Sequence, residues 1–129
     1  MSTLTKIQII EETIDYYKKH NRSVLNNNKC CYLDKNGNIC AHSRCIDPSY
    51  RMKFATEFAT ENAAFVIQQY GDIIHLERYR GHSIEFWSDI QQLHDHKINW
   101  QPSTISGEIN ELTSEGKLFV DDLLNKYKE

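Results

Sequence analysis

The chain has 129 residues, room for a single domain over 1–129, and at 40% hydrophobic and 26% charged it can bury a core without staples. A net charge of −3 argues against broad charge-driven binding to duplex DNA or anionic lipid, although it leaves room for a local basic pocket. No apolar run nears the ~18–20 residues that cross a bilayer, and the N-terminus lacks the basic flank and apolar stretch of a signal peptide, so a cytoplasmic protein is expected.

Leu4, Ile7, Ile10, Ile14 and Tyr17 recur at three- and four-residue steps and predict a first helix. Thr5 and Gln8 form a capping-box pattern at its start. It should end near His20-Asn21, where Lys18, Lys19 and His20 suit the helix dipole and need no other explanation. Polar residues 22–29 read as a loop. Cys30 to Asp34 and Ile39 to His42 flank Lys35-Asn36-Gly37-Asn38, and Asn-Gly between apolar runs predicts a β-hairpin.

Asp47-Pro48 marks a helix start, with Tyr50, Phe54, Phe58 and Phe65 as its periodic face. Asn62 either interrupts this run or opens a second helix, and Gly71 ends it. Asp72 to Gly81 reads as a short strand or an irregular segment. Ser83 caps a helix with Ile84, Trp87, Ile90 and Leu93 inward, ending near His94-Asp95-His96. Trp100, Pro102 and Ser103 belong to a connector, followed by a helical turn at 105–110. Thr113 caps the last helix, with Phe119, Val120, Leu123, Leu124 and Tyr127 inward. The expected class is therefore α+β, mostly α: four or five helices packed with one β-hairpin, with room for one further short strand. The aromatic stripes are core, as helical periodicity alone explains them.

Three constellations carry candidate chemistry. Cys30, Cys31, Cys40, His42 and Cys45 fall within sixteen residues, and thiols of a reducing compartment are free or metal-bound rather than paired. Alternation along a strand would put Cys40 and His42 on one face, with Cys31 or Cys30 opposite according to the turn and Cys45 folding back. Such a set would take zinc in a structural site of an interaction module, although the spacing lacks the usual Cys-x-x-Cys pair. Without metal, the cysteines are small apolar core residues.

His94-Asp95-His96 is foremost a polar helix end. A small cysteine-dependent enzyme would need Cys40, His94 and Asp95 to meet. The segment from His75 to His82 concentrates Arg78, Tyr79, Arg80 and His82 near Arg44. Arginine forks bind phosphate or carboxylate and tyrosine stacks on bases, so these five residues are the candidate pocket for an anionic nucleotide. A solvated segment with Glu77 pairing an arginine is the simpler alternative. No phosphate-binding Gly-rich loop is present in the sequence.

Cys30-x-Tyr32, Gly37-x-x-Cys40-Ala41 and Arg44 resemble a pattern of small phage and prophage proteins, which carry Cys-x-Tyr, a Gly turn and Cys-Ala-x-Gly-Arg. Ile90-Gln91-x-Leu93-His94-Asp95 with Trp100 is similar to their Leu-Gln-x-Leu-His-Asp and Trp. Leu112-Thr113-x-Glu115-Gly116-Lys117 is similar to a Leu-Thr-x-Glu-Gly-Lys near their ends, and Glu12-Thr13-x-Asp15-Tyr16-Tyr17 with Asn21-Arg22 to their opening. Ser43 stands where the family has Gly. The resemblance implies Cys30 rather than Cys31 as the partner of Cys40, and leaves Cys45 outside the pattern, which weakens a four-ligand zinc site. It further implies a non-enzymatic accessory protein in the host cytoplasm, antagonising host defence by binding a host protein or sequestering an anionic nucleotide. A homodimer would be one way to hide residual apolar surface.

Overall fold

The computed structural model describes residues 3–21, 38–57 and 63–128. Its class is α+β and mostly α, as expected. Among the described residues are α1 (Lys6–Lys19), α2 (Ala41–Arg44), α3 (Pro48–Glu57), α4 (Ala63–Tyr70), α5 (Ile84–Asp95) and α6 (Ser114–Tyr127). Strands β1 (Trp100–Pro102) and β2 (Asn110–Leu112) pair antiparallel, Trp100 opposite Leu112.

The caps that set the helix starts are those expected. Gln8 N donates to Thr5 Oγ1 at 3.1 Å and Thr5 N donates to Gln8 Oε1 at 2.8 Å, a complete capping box. Ser83 Oγ accepts from Phe86 N, and Thr113 Oγ1 from Gly116 N. Gly71 follows α4 with φ +81, a left-handed backbone that glycine adopts without strain.

Helix α5 lies at the centre and packs against α1, α2, α4 and α6. Its Phe86, Trp87, Ile90 and Leu93 meet Ile9, Ile10 and Tyr17 of α1 and Val66 of α4 in one core. Burying each of these large side chains contributes on the order of 2 kcal/mol.

Two expectations are corrected. The second arm of the predicted Cys-rich hairpin is not a strand: Ala41–Arg44 is a helical turn. Cys40 is its cap, with Sγ accepting from Ser43 N at 3.3 Å and its carbonyl from Arg44 N at 3.0 Å. A local side-chain cap thus outcompetes strand pairing at this point. The first arm and its turn, residues 30–37, lie outside the described residues, as do Phe58, Ala59 and Asn62; α3 and α4 stand on either side of 58–62.

The second correction is the hairpin itself, which forms between Trp100 and Leu112 where a connector and a helical turn were expected. Helix α1 holds it in place: Ile109 N donates to Lys18 O at 2.5 Å, and Asn110 Nδ2 donates to Tyr17 O and His20 O at 3.0 Å each. Of the two forms expected for Asp72 to Gly81, the irregular one is found, with 3-10 turns at Asp72–Ile74 and Glu77–Tyr79. One antiparallel bridge, Ile46 to His75, ties it to the end of α2.

Candidate functional site

The chemistry-bearing residues gather around α2, and the chain reaches them from four distant segments. Cys40 caps the turn, so Ala41 to Cys45 are wound tightly and buried except for half-buried Arg44. The Arg51 side chain closes the far end, with Nε on Ser43 O at 3.1 Å and Nη2 on Ile46 O at 3.2 Å. These bonds tie α3 to carbonyls at and just beyond the end of α2.

His42 points into the core. Its backbone N–H donates to Gln91 Oε1 at 2.8 Å, and its Nε2 lies 2.8 Å from His75 Nε2. His75 Nδ1 in turn donates to Asp72 Oδ1 at 2.7 Å. Asp72 Oδ2 accepts from Gly81 N at 2.9 Å. The proton count follows from the carboxylate: Asp72 accepts a hydrogen bond from the Nδ1–H of His75, so in the neutral pair His75 Nε2 accepts and His42 Nε2–H donates. Trp87 stacks on His75 with centroids 4.7 Å apart. Burial holds His42 well below its ordinary 6.5, and the neighbouring His75 adds to this. Burial also lowers His75, outweighing the pull of Asp72.

The second cluster sits where α2 meets α1. Arg44 Nη1 donates to Glu12 Oε1 at 2.6 Å and to the Tyr79 hydroxyl at 3.1 Å, and Nη2 donates to Thr13 Oγ1 at 3.2 Å. The Tyr79 hydroxyl also donates to Glu12. Burial works to raise the Glu12 carboxyl, but the Tyr79 hydroxyl and Arg44 outweigh it and hold it below its ordinary range. The Arg44 guanidinium lies 5.4 Å from the Tyr16 ring centroid and 5.6 Å from that of Tyr79, and Arg78 lies 4.7 Å from Tyr79.

Of the five residues expected to bind an anion, the fold brings Arg44, Arg78 and Tyr79 together. Arg80 turns away, with Nε on His75 O at 3.0 Å and Nη2 on Ile73 O at 3.2 Å. His82 leaves the group too and donates from Nε2 to Leu4 O at 2.9 Å. Glu12 of the Arg44 cluster and Gln91 of the histidine cluster were missed, because partners 32 and 49 residues from Arg44 and His42 leave no local pattern; Asp72, three residues before His75, was missed as well.

The expected metal set is divided. Cys30 lies outside the described residues. The sulfur of Cys40 is occupied by the Ser43 amide, His42 by His75, and Cys45 Sγ lies 3.6 Å from Ala41 O. The helical turn removes the strand alternation that would have set Cys40 and His42 side by side. Among the described residues, no group of three or more His, Cys, Asp or Glu side chains is arranged to hold a metal ion. Burial pushes the Cys45 thiol up to about 12, so it is not a thiolate near neutral pH. His94 is buried and donates from Nδ1 to Asp95 Oδ1 at 2.7 Å, while the Tyr17 ring packs 5.0 Å away.

No described helix is long and apolar enough to cross a membrane. No protein-family model, curated protein or solved structure matches this chain.

Proposed function

We propose that this chain is a small phage-type accessory binding protein that antagonises a bacterial host defence by docking on a host protein. The motif resemblance supports the phage and anti-defence parts of this reading. One structural observation supports the docking part. Among the described residues, three of the five exposed large apolar side chains lie in the hairpin's loop or two residues before its first strand: Ile98 (60% exposed), Ile105 (56%) and Ile109 (44%). His42, His75, His94, Arg44, Cys40 and Cys45 are meanwhile engaged inside the fold, as a binding scaffold would use them.

The reading is tested by affinity capture from a bacterial host expressing the tagged chain. Ile105→Glu with Ile109→Glu should lower recovery of a specific host protein by about tenfold, since charge in an apolar interface core is strongly disfavoured. Circular dichroism should stay that of the parent. Recovery insensitive to both substitutions removes docking through the hairpin.

A second reading, an anionic ligand, has its own support: the guanidinium groups of Arg44 and Arg78 flank Tyr79, and Glu12 is the carboxylate that answers them. Native mass spectrometry of chain purified from host cells should then find a retained anionic small molecule. Arg78→Ala should lose it, because this exposed guanidinium is the one less committed to internal bonds. Retention by the variant, or no adduct on the parent, counts against it.

A further inference from the structure

Helices α1 and α6 lie side by side and leave a furrow along their line of contact. Ile7, Glu11, Ile14 and Lys18 follow one another at four, three and four residues, so they form one stripe of α1. Lys117, Asp121 and Leu124 of α6, with Lys128 just past its end, follow the same spacing. A hollow of about 570 Å³ is lined by Ile7 and Glu11 on one side and by Asp121, Leu124 and Lys128 on the other. A second, about 240 Å³, is lined by Ile14, Lys18 and Lys117, with Ile105 and Leu112 of the hairpin region closing it. The start of one stripe thus meets the end of the other, and the two hollows follow each other along an antiparallel helix pair. The eleven helical steps from Ile7 to Lys18 give the furrow a length of about 16 Å, three turns.

The chemistry of the furrow is uneven. Its floor is aliphatic, with Ile7, Ile14, Leu112 and Leu124 half-buried. Its wider half carries two exposed carboxylates, Glu11 and Asp121, on opposite walls. Neither has an ion-pair or hydrogen-bond partner among the described residues. At the hairpin end Glu108 and Glu111 share the smaller hollow with Lys18 and Lys117, which leaves that half balanced, whereas the wider half has two carboxylates to the single cation of Lys128. The negative excess of the wider half, above an apolar floor, favours a guest that brings cations on its flanks and a greasy face between them.

We propose that this furrow is the docking groove for a cationic amphipathic helix of a partner protein. Its apolar stripe would lie on Ile7, Ile14 and Leu124, and its arginine or lysine side chains would reach Glu11 and Asp121. This rests on the protein-docking reading above and names the partner's chemistry. The groove runs on to Ile105, so hairpin and groove form one continuous face.

The test uses the full chain and two labelled synthetic helices of about 16 residues, long enough to be helical when bound. Both carry leucine at the same inward positions; one has arginine on its flanks and the other glutamate. Fluorescence anisotropy should show the arginine peptide binding at least about tenfold more tightly. Glu11→Lys and Asp121→Lys should each weaken it about fivefold or more, beyond the effect of the remote control Glu77→Lys, which makes the same change in net charge. Equal binding of the two peptides, binding of neither, or reversals no stronger than the control would overturn the proposal. A dimer seen by sedimentation and dissolved by the same reversals would overturn it in favour of a second copy. If the hairpin variants lose a host partner while the peptides fail, the docking reading stands and the groove falls. Peptide binding without any hairpin-sensitive host partner has the opposite meaning.

Discussion

Gly116→Ala is expected to destabilise the protein by about 3 kcal/mol, and to lower Tm by about 10 °C. On sequence grounds the opposite would be forecast, because alanine in a helix gains about 1 kcal/mol over glycine. The surroundings reverse the sign. A Cβ on Gly116 would stand 2.2 Å from the Asn99 carbonyl oxygen and 3.0 Å from its carbonyl carbon and Cα. The obstacle is backbone, and it is held: Asn99 O accepts from Thr113 N at 2.9 Å, and Thr113 Oγ1 donates to Ile98 O at 2.5 Å. Relief would have to move the 97–99 turn away from α6 and break those bonds. Thermal unfolding followed by circular dichroism measures the effect directly, and an unchanged or raised Tm would show that the turn yields freely.

Acid should unfold the protein well before its carboxylates titrate, and His42 should be the main cause. Its folded-state value lies well below 6.5 while the unfolded chain restores 6.5, so below that pH the unfolded state binds more protons. Stability is therefore fully present above about pH 6.5 and declines as pH falls, by up to about 1.4 kcal/mol per pH unit for this one group. His75 and His82, both lowered chiefly by burial, steepen the same limb. The hydrogen-bond pattern adds a reason: with Asp72 ionised, the pair His42–His75 has one proton for its shared Nε2 contact, and a second would set two N–H groups against each other. Urea unfolding at pH 7.5 and pH 5 should show a large loss in the parent chain. His42→Gln, which can donate but cannot ionise, should be less stable at pH 7.5 yet show a loss smaller by about one proton's slope. Parallel pH profiles for parent and variant would exclude His42 as the acid-sensitive group.

These two sites also illustrate how unevenly the fold can be read from the chain. Gly116 is visible in the sequence as part of a short motif, yet nothing local reveals that it faces the Asn99 carbonyl seventeen residues earlier. The Arg44 cluster is similar. Arg44, Arg78 and Tyr79 could be grouped by residue type, but Glu12, which takes the Arg44 charge, lies 32 residues away on another helix. An arginine that finds a carboxylate within the fold is committed to structure, and only the partner's position decides this.

What the chain determined alone is what short-range physics controls. Thr5, Ser83 and Thr113 each bond an amide three residues on, so the starts of α1, α5 and α6 are written locally. Periodic Ile, Phe and Trp residues select the buried faces of those helices. Tertiary structure decided the rest. Asn-Gly pointed to a hairpin at 30–42, but Cys40 to Arg44 is wound into a turn whose His42 is received by Gln91 and His75. The three-residue strands at Trp100 and Asn110 carry too little pattern to declare themselves, and they are held by carbonyls at the end of α1. Where an element is stabilised by its own neighbours in sequence, it is legible; where its bonds are supplied by segments dozens of residues away, only the folded chain brings them together.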